Sequence, residues 1–95
     1  MSKYDVVYTS SFYNSARRLD KETQRRIKRW IEKHLIGVDF PTSPGKVLTG
    51  ELAGHVRFRI GDFRLIAKVN NKVLQIYALY VDKRSVVYKF RPDGV

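Results

Sequence analysis

The segment His55-Val-Arg-Phe-Arg-Ile-Gly-Asp-Phe-Arg-Leu-Ile-Ala-Lys68 alternates apolar and basic residues on both sides of Gly61-Asp62. Such alternation marks strands with one buried face. Glycine accepts the positive φ that two-residue hairpin turns demand. A hairpin closed at Gly61-Asp62 pairs Ile60 with Phe63, Arg59 with Arg64, Phe58 with Leu65, Arg57 with Ile66 and His55 with Lys68. Directly paired residues share a face. One face therefore carries Val56, Phe58, Ile60, Phe63, Leu65 and Ala67. The other carries His55, Arg57, Arg59, Arg64 and Lys68, with Ile66 its apolar exception. Like charges directly opposite one another destabilise a sheet. A polyanion, phosphate first, is the partner that would account for so costly a face.

Downstream, Asn70-Asn71 is a second two-residue turn signal, setting Lys68 opposite Val73, Ile66 opposite Gln75 and Arg64 opposite Tyr77. This register puts Gln75 and Tyr77 on the basic face and Leu74, Ile76, Ala78 and Tyr80 on the core face. The run Val73 to Val81 is apolar on both faces, as expected of a well-covered strand. Asp82 to Phe90 then forms a short basic tail, and residues 91–95 are expected to fray.

Upstream, Lys3 to Tyr8 is rich in β-branched and aromatic residues and predicts a first strand. Ser10 or Ser11 can cap a short helix with Phe12, Ala16 and Leu19 on one side. Asp20 heads a second helix running to about Leu35, with the apolar stripe Ile27, Trp30, Ile31, His34 and Leu35. Gly37 suits the turn that ends it. Pro41, Pro44, Gly45 and Gly50 predict a loop over Val38 to Glu51. The expected class is α+β, in the order β-α-α-β-β-β. Two N-terminal helices pack on one face of an antiparallel sheet, with a basic concave face opposite.

The chain of 95 residues holds one core and is read as a single domain, 1–95. Nineteen Lys and Arg against nine Asp and Glu give a net charge of +10, which points to nucleic acid or an acidic protein partner. There is no cysteine, so disulfide and thiolate chemistry are excluded. His34 and His55 are too few and too far apart for a recognisable metal site, and no cofactor is expected. Nothing approaches membrane-spanning length and the N-terminal residues lack an apolar leader, so the expected compartment is the cytoplasm.

The element order, with Gly54-His-Val-Arg57-Phe-Arg59-Ile-Gly-Asp-Phe-Arg64 and Lys83-Arg84-Ser-Val-Val-Tyr88, resembles the RelE/ParE superfamily of bacterial and archaeal toxins. The resemblance runs from Tyr4 to Lys89. It implies a ribosome-associated mRNA interferase held inactive by a cognate acidic antitoxin of RelB type. The partners it implies are mRNA in the ribosomal A site and the rRNA backbone around it. Arg57 and Arg59 match two cations of the first meander strand in RelE-type toxins, and Arg64 matches an arginine on the next. Arg84 and Tyr88 match an arginine and a tyrosine after the last strand. These five are the expected catalytic residues; Lys68, Lys83, Tyr77, Gln75 and His55 are expected RNA contacts.

The implied reaction suits these residue types. Attack of a 2′-hydroxyl on the adjacent phosphate builds negative charge on the equatorial oxygens, and guanidinium groups meet it with paired donors. RNA alone supplies that internal nucleophile. The sequence departs from the best-known RelE-type toxins in having arginines, not lysines, at 57 and 59. Arginine stays protonated and cannot be the general base. Proton removal then falls to Tyr88, His55, Lys68, solvent or the ribosome. His34 is read as a packed structural histidine. Two other functions stay open: a ParE-type gyrase inhibitor, and a non-catalytic RNA-binding module on the same face. Arg17, Arg18, Arg25, Arg26, Lys28 and Arg29 are either rRNA contacts or a solvated helix surface.

Overall fold

The computed structural model describes residues 3–83. Strand β1 (Asp5–Tyr8) leads into helix α1 (Ser10–Ala16) and helix α2 (Lys21–His34). Four strands follow: β2 (Gly45–Val47), β3 (His55–Ile60), β4 (Phe63–Asn70) and β5 (Gln75–Lys83). They form one sheet of spatial order β1-β5-β4-β3-β2. β1 lies parallel to β5 at one edge, and the other pairings are antiparallel. The α+β class, with both helices on one side of the sheet, is as expected.

The β3–β4 hairpin has the expected register throughout, from Ile60↔Phe63 to His55↔Lys68. Gly61 turns at φ +60°. Val56, Phe58, Ile60, Leu65, Ala67, Ile76, Ala78 and Val81 then meet Ile27, Ile31 and Leu35 of the second helix region in the main core. Trp30 stacks at 5.7 Å on Phe58 and at 4.6 Å on His34. His34 is thus a half-buried packing residue. Gly37 follows the helix with φ +77° and donates its N–H to the Tyr4 carbonyl at 2.8 Å, tying the helix end to β1.

Four expectations need correction. The first helix is capped by Thr9, not Ser10 or Ser11: the Thr9 hydroxyl accepts from the Phe12 N–H at 3.2 Å and donates to the Ala78 carbonyl at 2.7 Å. Residues 38–51 are not wholly loop, because β2 adds an edge strand and Gly50–Leu52 makes a 3-10 turn. Gly45 permits this. A Cβ there would stand 2.7 Å from the Phe58 ring and 2.8 Å from Val56, so only glycine lets β2 close over them.

The second hairpin is wider than the two-residue turn at Asn70-Asn71. Its last rung is Asn70↔Gln75, so Lys68 faces Tyr77 rather than Val73. The Asn70 side chain accepts from the Lys72 N–H at 3.0 Å, and the Leu74 carbonyl accepts from the Asp5 N–H at 3.0 Å. These two bonds use groups that a tighter turn would have paired across the hairpin. The register then shifts between Ile66 and Ala67, which face Tyr80 and Ala78. Leu79 is the extra residue of this bulge, and it reverses the alternation beyond it. Tyr80 consequently leaves the core face and packs with Ile66, Leu48, Leu52 and Leu79 in a second apolar cluster.

Candidate nucleic-acid interface

The sheet face turned away from the helices is a grid of three cross-strand rows. Lys46, Arg57, Ile66 and Tyr80 form the middle row through consecutive register pairs. Arg59, Arg64 and Asp82 form the row toward the Gly61 turn, and His55, Lys68 and Tyr77 the row away from it. Arg59 and Lys68 are exposed, as is Lys46, and Arg57 is half-buried. Four cations therefore present side chains from adjacent strands to one surface. Lys46 was missed in the sequence because its strand lies among prolines and glycines that read as loop.

Arg64 is different in kind. It is only 6% exposed, and its Nη1 donates to the carbonyls of Gly61 at 2.9 Å and Phe63 at 2.8 Å. The guanidinium clasps the hairpin turn, which explains how Arg59 and Arg64 can occupy one rung. Across the other strand pair Arg64 is the register partner of Asp82, which is also buried. Asp82 accepts from the Lys83 N–H at 2.8 Å and from the Tyr80 hydroxyl at 3.3 Å. Burial, and then the Asp82 charge, push the Tyr80 phenol above its ordinary pKa, so it keeps its proton and donates. The sequence pattern sets Tyr80 on the core face and Asp82 in the tail, and only the bulge turns both to the face of Arg64. Arg64 thus keeps its place on the basic face but is buried there, not presented to solvent.

His55 is also buried, at 7% exposure, with Nδ1 3.2 Å from the Leu52 carbonyl. It braces the 3-10 turn that carries Leu52 over Ile66, so the basic face is partly roofed rather than fully open. Gln75 and Tyr77 sit on the same face beside β1, joined by a bond of 2.7 Å from the Tyr77 hydroxyl to Gln75 Oε1. Lys83 pairs with Phe63, a core-face residue, which sets it on the other side of the sheet. Arg84 and Tyr88 lie outside the described residues. Among the described residues, no helix is long and apolar enough to cross a membrane.

No family model matches the chain, and no curated protein matches it by sequence. Solved structures do match over nearly its whole length. The RelBE2 toxin–antitoxin complex of Mycobacterium tuberculosis superposes with a TM-score of 0.74 at 23% identity, covering 86% of this chain and 99% of that one. The RelE–RelB complex of Pyrococcus horikoshii gives 0.60 at 25% identity, covering 88% and 97%. The antitoxin–toxin complex of Methanococcus jannaschii gives 0.63 at 20% identity, covering 90% and 99%. The chain has the fold of the RelE/ParE toxin superfamily. Its structural relatives are the toxin components of toxin–antitoxin systems.

Proposed function

We propose that this chain is the toxin of a toxin–antitoxin pair and a ribosome-dependent endoribonuclease. In this reading it cleaves mRNA in the A site by metal-free attack of a 2′-hydroxyl on the adjacent phosphate. The observation that carries the reading is the exposed Arg59 beside half-buried Arg57, on a face that also presents Lys46 and Lys68, in a fold shared with RelE toxins. Arg57 and Arg59 are the phosphate ligands: their planar forks pair with the oxygens on which charge develops. Arg64 acts beneath them, holding the turn that places Arg59. Arg84 is assigned a further phosphate contact, and Tyr88 base stacking or proton transfer. Lys68, Tyr77 and Gln75 flank the site as RNA contacts. The RNA runs on a cytoplasmic ribosome, and an acidic antitoxin of RelB type silences the protein.

Primer extension on an mRNA incubated with the protein, with and without programmed ribosomes, tests this. Breaks at A-site codons only when ribosomes are present are the expected result. Intact mRNA in both reactions, with the protein folded, overturns it.

One observation favours a second reading, a non-catalytic RNA-binding module. Arg64, matched to a catalytic arginine by the resemblance, has Nη1 committed to two main-chain carbonyls. Retention of RNA on the protein without any cleaved product would establish that reading. The ParE-type alternative is not favoured by the structural relatives.

A further inference from the structure

Cleavage of RNA by its own 2′-hydroxyl needs a proton donor as well as phosphate ligands. The bond from phosphorus to the 5′-oxygen breaks, and that oxygen leaves poorly unless a proton reaches it. Arg57 and Arg59 cannot supply one, because a guanidinium stays protonated throughout. Arg64 is buried, with Nη1 held by the Gly61 and Phe63 carbonyls. His55 is buried with Nδ1 at the Leu52 carbonyl. The hydroxyls of Tyr77 and Tyr80 already donate to Gln75 and Asp82. Among the described residues, the exposed groups of this face that can give up a proton are therefore Lys46 and Lys68.

Register separates the two. Lys46 stands directly opposite Arg57. Arg59, two residues further along β3, is its diagonal neighbour on the same face. Opposed side chains have Cβ atoms about 5 Å apart and diagonal ones about 7–8 Å. Lys68 stands opposite His55, four residues and about 13 Å along the strand from Arg59. A phosphate held by Arg57 and Arg59 together therefore lies nearer Lys46. The backbone around Lys46 is fixed on both sides. Gly45 lets β2 press onto the Phe58 ring, where a Cβ would stand 2.7 Å away, and beyond β2 the Leu48 N–H donates to the His55 carbonyl at 2.9 Å. The side chain itself makes no ion pair or hydrogen bond among the described residues, and β2 is the edge of the sheet they form.

We infer that Lys46 is a catalytic residue of the proposed cleavage, the general acid that protonates the departing 5′-oxygen. The 2′-oxygen bonds to phosphorus, and its proton passes to water. The bond from phosphorus to the 5′-oxygen breaks with its electron pair on that oxygen, which takes a proton from the Lys46 ammonium. The products are a 2′,3′-cyclic phosphate and a 5′-hydroxyl end, and solvent returns a proton to Lys46. Arg57 and Arg59 hold the phosphate through both changes. The inference rests on the nuclease reading and adds to it the donor that the two arginines cannot be.

The test compares the parent with Lys46→Arg and Lys46→Gln on programmed ribosomes, using two mRNAs that differ in one atom. One has the natural 5′-oxygen at the cleaved linkage. The other has sulfur there, and a thiolate leaves without a proton because thiols are far stronger acids than alcohols. Arginine keeps the charge but cannot release its proton, while glutamine loses both. Both variants should melt with the parent, since Lys46 is exposed. On the oxygen mRNA both are expected to cleave on the order of 10²-fold more slowly. On the sulfur mRNA Lys46→Arg should cleave within about threefold of the parent and Lys46→Gln should recover at least about tenfold, because no proton remains to be given. Cleavage of the oxygen mRNA by Lys46→Arg at the parental rate would overturn the inference and leave the nuclease reading standing. Equal slowing on both mRNAs would make Lys46 a phosphate contact and not a proton donor, and would overturn it as well. A parent that cleaves neither mRNA overturns the nuclease reading itself, and this inference with it.

Discussion

Arg64 and Asp82 are register partners on β4 and β5, both buried on the face of the sheet that carries the exposed cations. This pairing places a carboxylate and a clasped guanidinium directly beneath a surface suited to phosphate. It makes Arg64 a part of the scaffold as well as of the charge array.

Arg64→Ala is therefore expected to destabilise the protein by about 2–3 kcal/mol, since it removes two charge-assisted bonds to the Gly61 and Phe63 carbonyls. Denaturant titration reads the loss. An Arg64→Ala protein as stable as the parent would return Arg64 to a purely surface role. Asp82→Asn should cost less than Arg64→Ala, and the double variant less than the sum, because the two are adjacent register partners on one face.

Arg59→Ala should behave in the opposite way. Arg59 is exposed and faces a like charge, so stability should stay within about 0.5 kcal/mol of the parent or rise. Cleavage in the primer-extension assay should fall on the order of 10²–10³-fold. The salt dependence of RNA binding should flatten by about 0.7 in its logarithmic slope, the share of one phosphate contact to a single strand. A cleavage rate equal to that of the parent would remove Arg59 from the reaction.

Gly45→Ala tests the strand that carries Lys46. The added methyl group would meet Phe58 and Val56 inside van der Waals contact, and overpacking of this kind costs about 1–3 kcal/mol. The main core should survive while amide exchange at residues 45–48 accelerates, because β2 alone is displaced. Unchanged protection there would show that the close approach is not what holds β2.

Acid stability carries a signature of α2. The Thr23 hydroxyl donates to the Asp20 carboxylate, and that hydrogen bond holds the Asp20 pKa below the ordinary carboxylate value. A depressed folded-state pKa stabilises the protein above the unfolded value and loses that contribution as pH falls through the folded one. Thr23→Val should therefore lower stability near neutrality and flatten its decline as pH falls through and below the ordinary carboxylate range. Parallel acid-unfolding curves for the two proteins would show that the bond contributes nothing.

The β3–β4 hairpin was legible residue by residue, because alternation and a Gly-Asp turn are local and each pairing follows from the one before. The amphipathic stripe of α2 was legible for the same reason. The cations Arg57, Arg59, Arg64 and Lys68 were assigned to one face directly from that alternation. Beyond the second turn the local rules failed. One extra residue at Leu79 exchanges the faces of everything after it, and no pattern in an all-apolar strand records where a bulge falls.

What the amino-acid order determined by itself was the class of fold, the hairpin register and the concentration of positive charge on a single sheet face. These depend on period and polarity, which are properties of neighbours along the chain. Tertiary structure alone decided which of those charges reach solvent. Arg64 is drawn inward by the carbonyls of its own turn, while Lys46 is delivered by a strand hidden among turn formers. Charge is written in composition, but its exposure is settled by the partners that the folded chain brings to it.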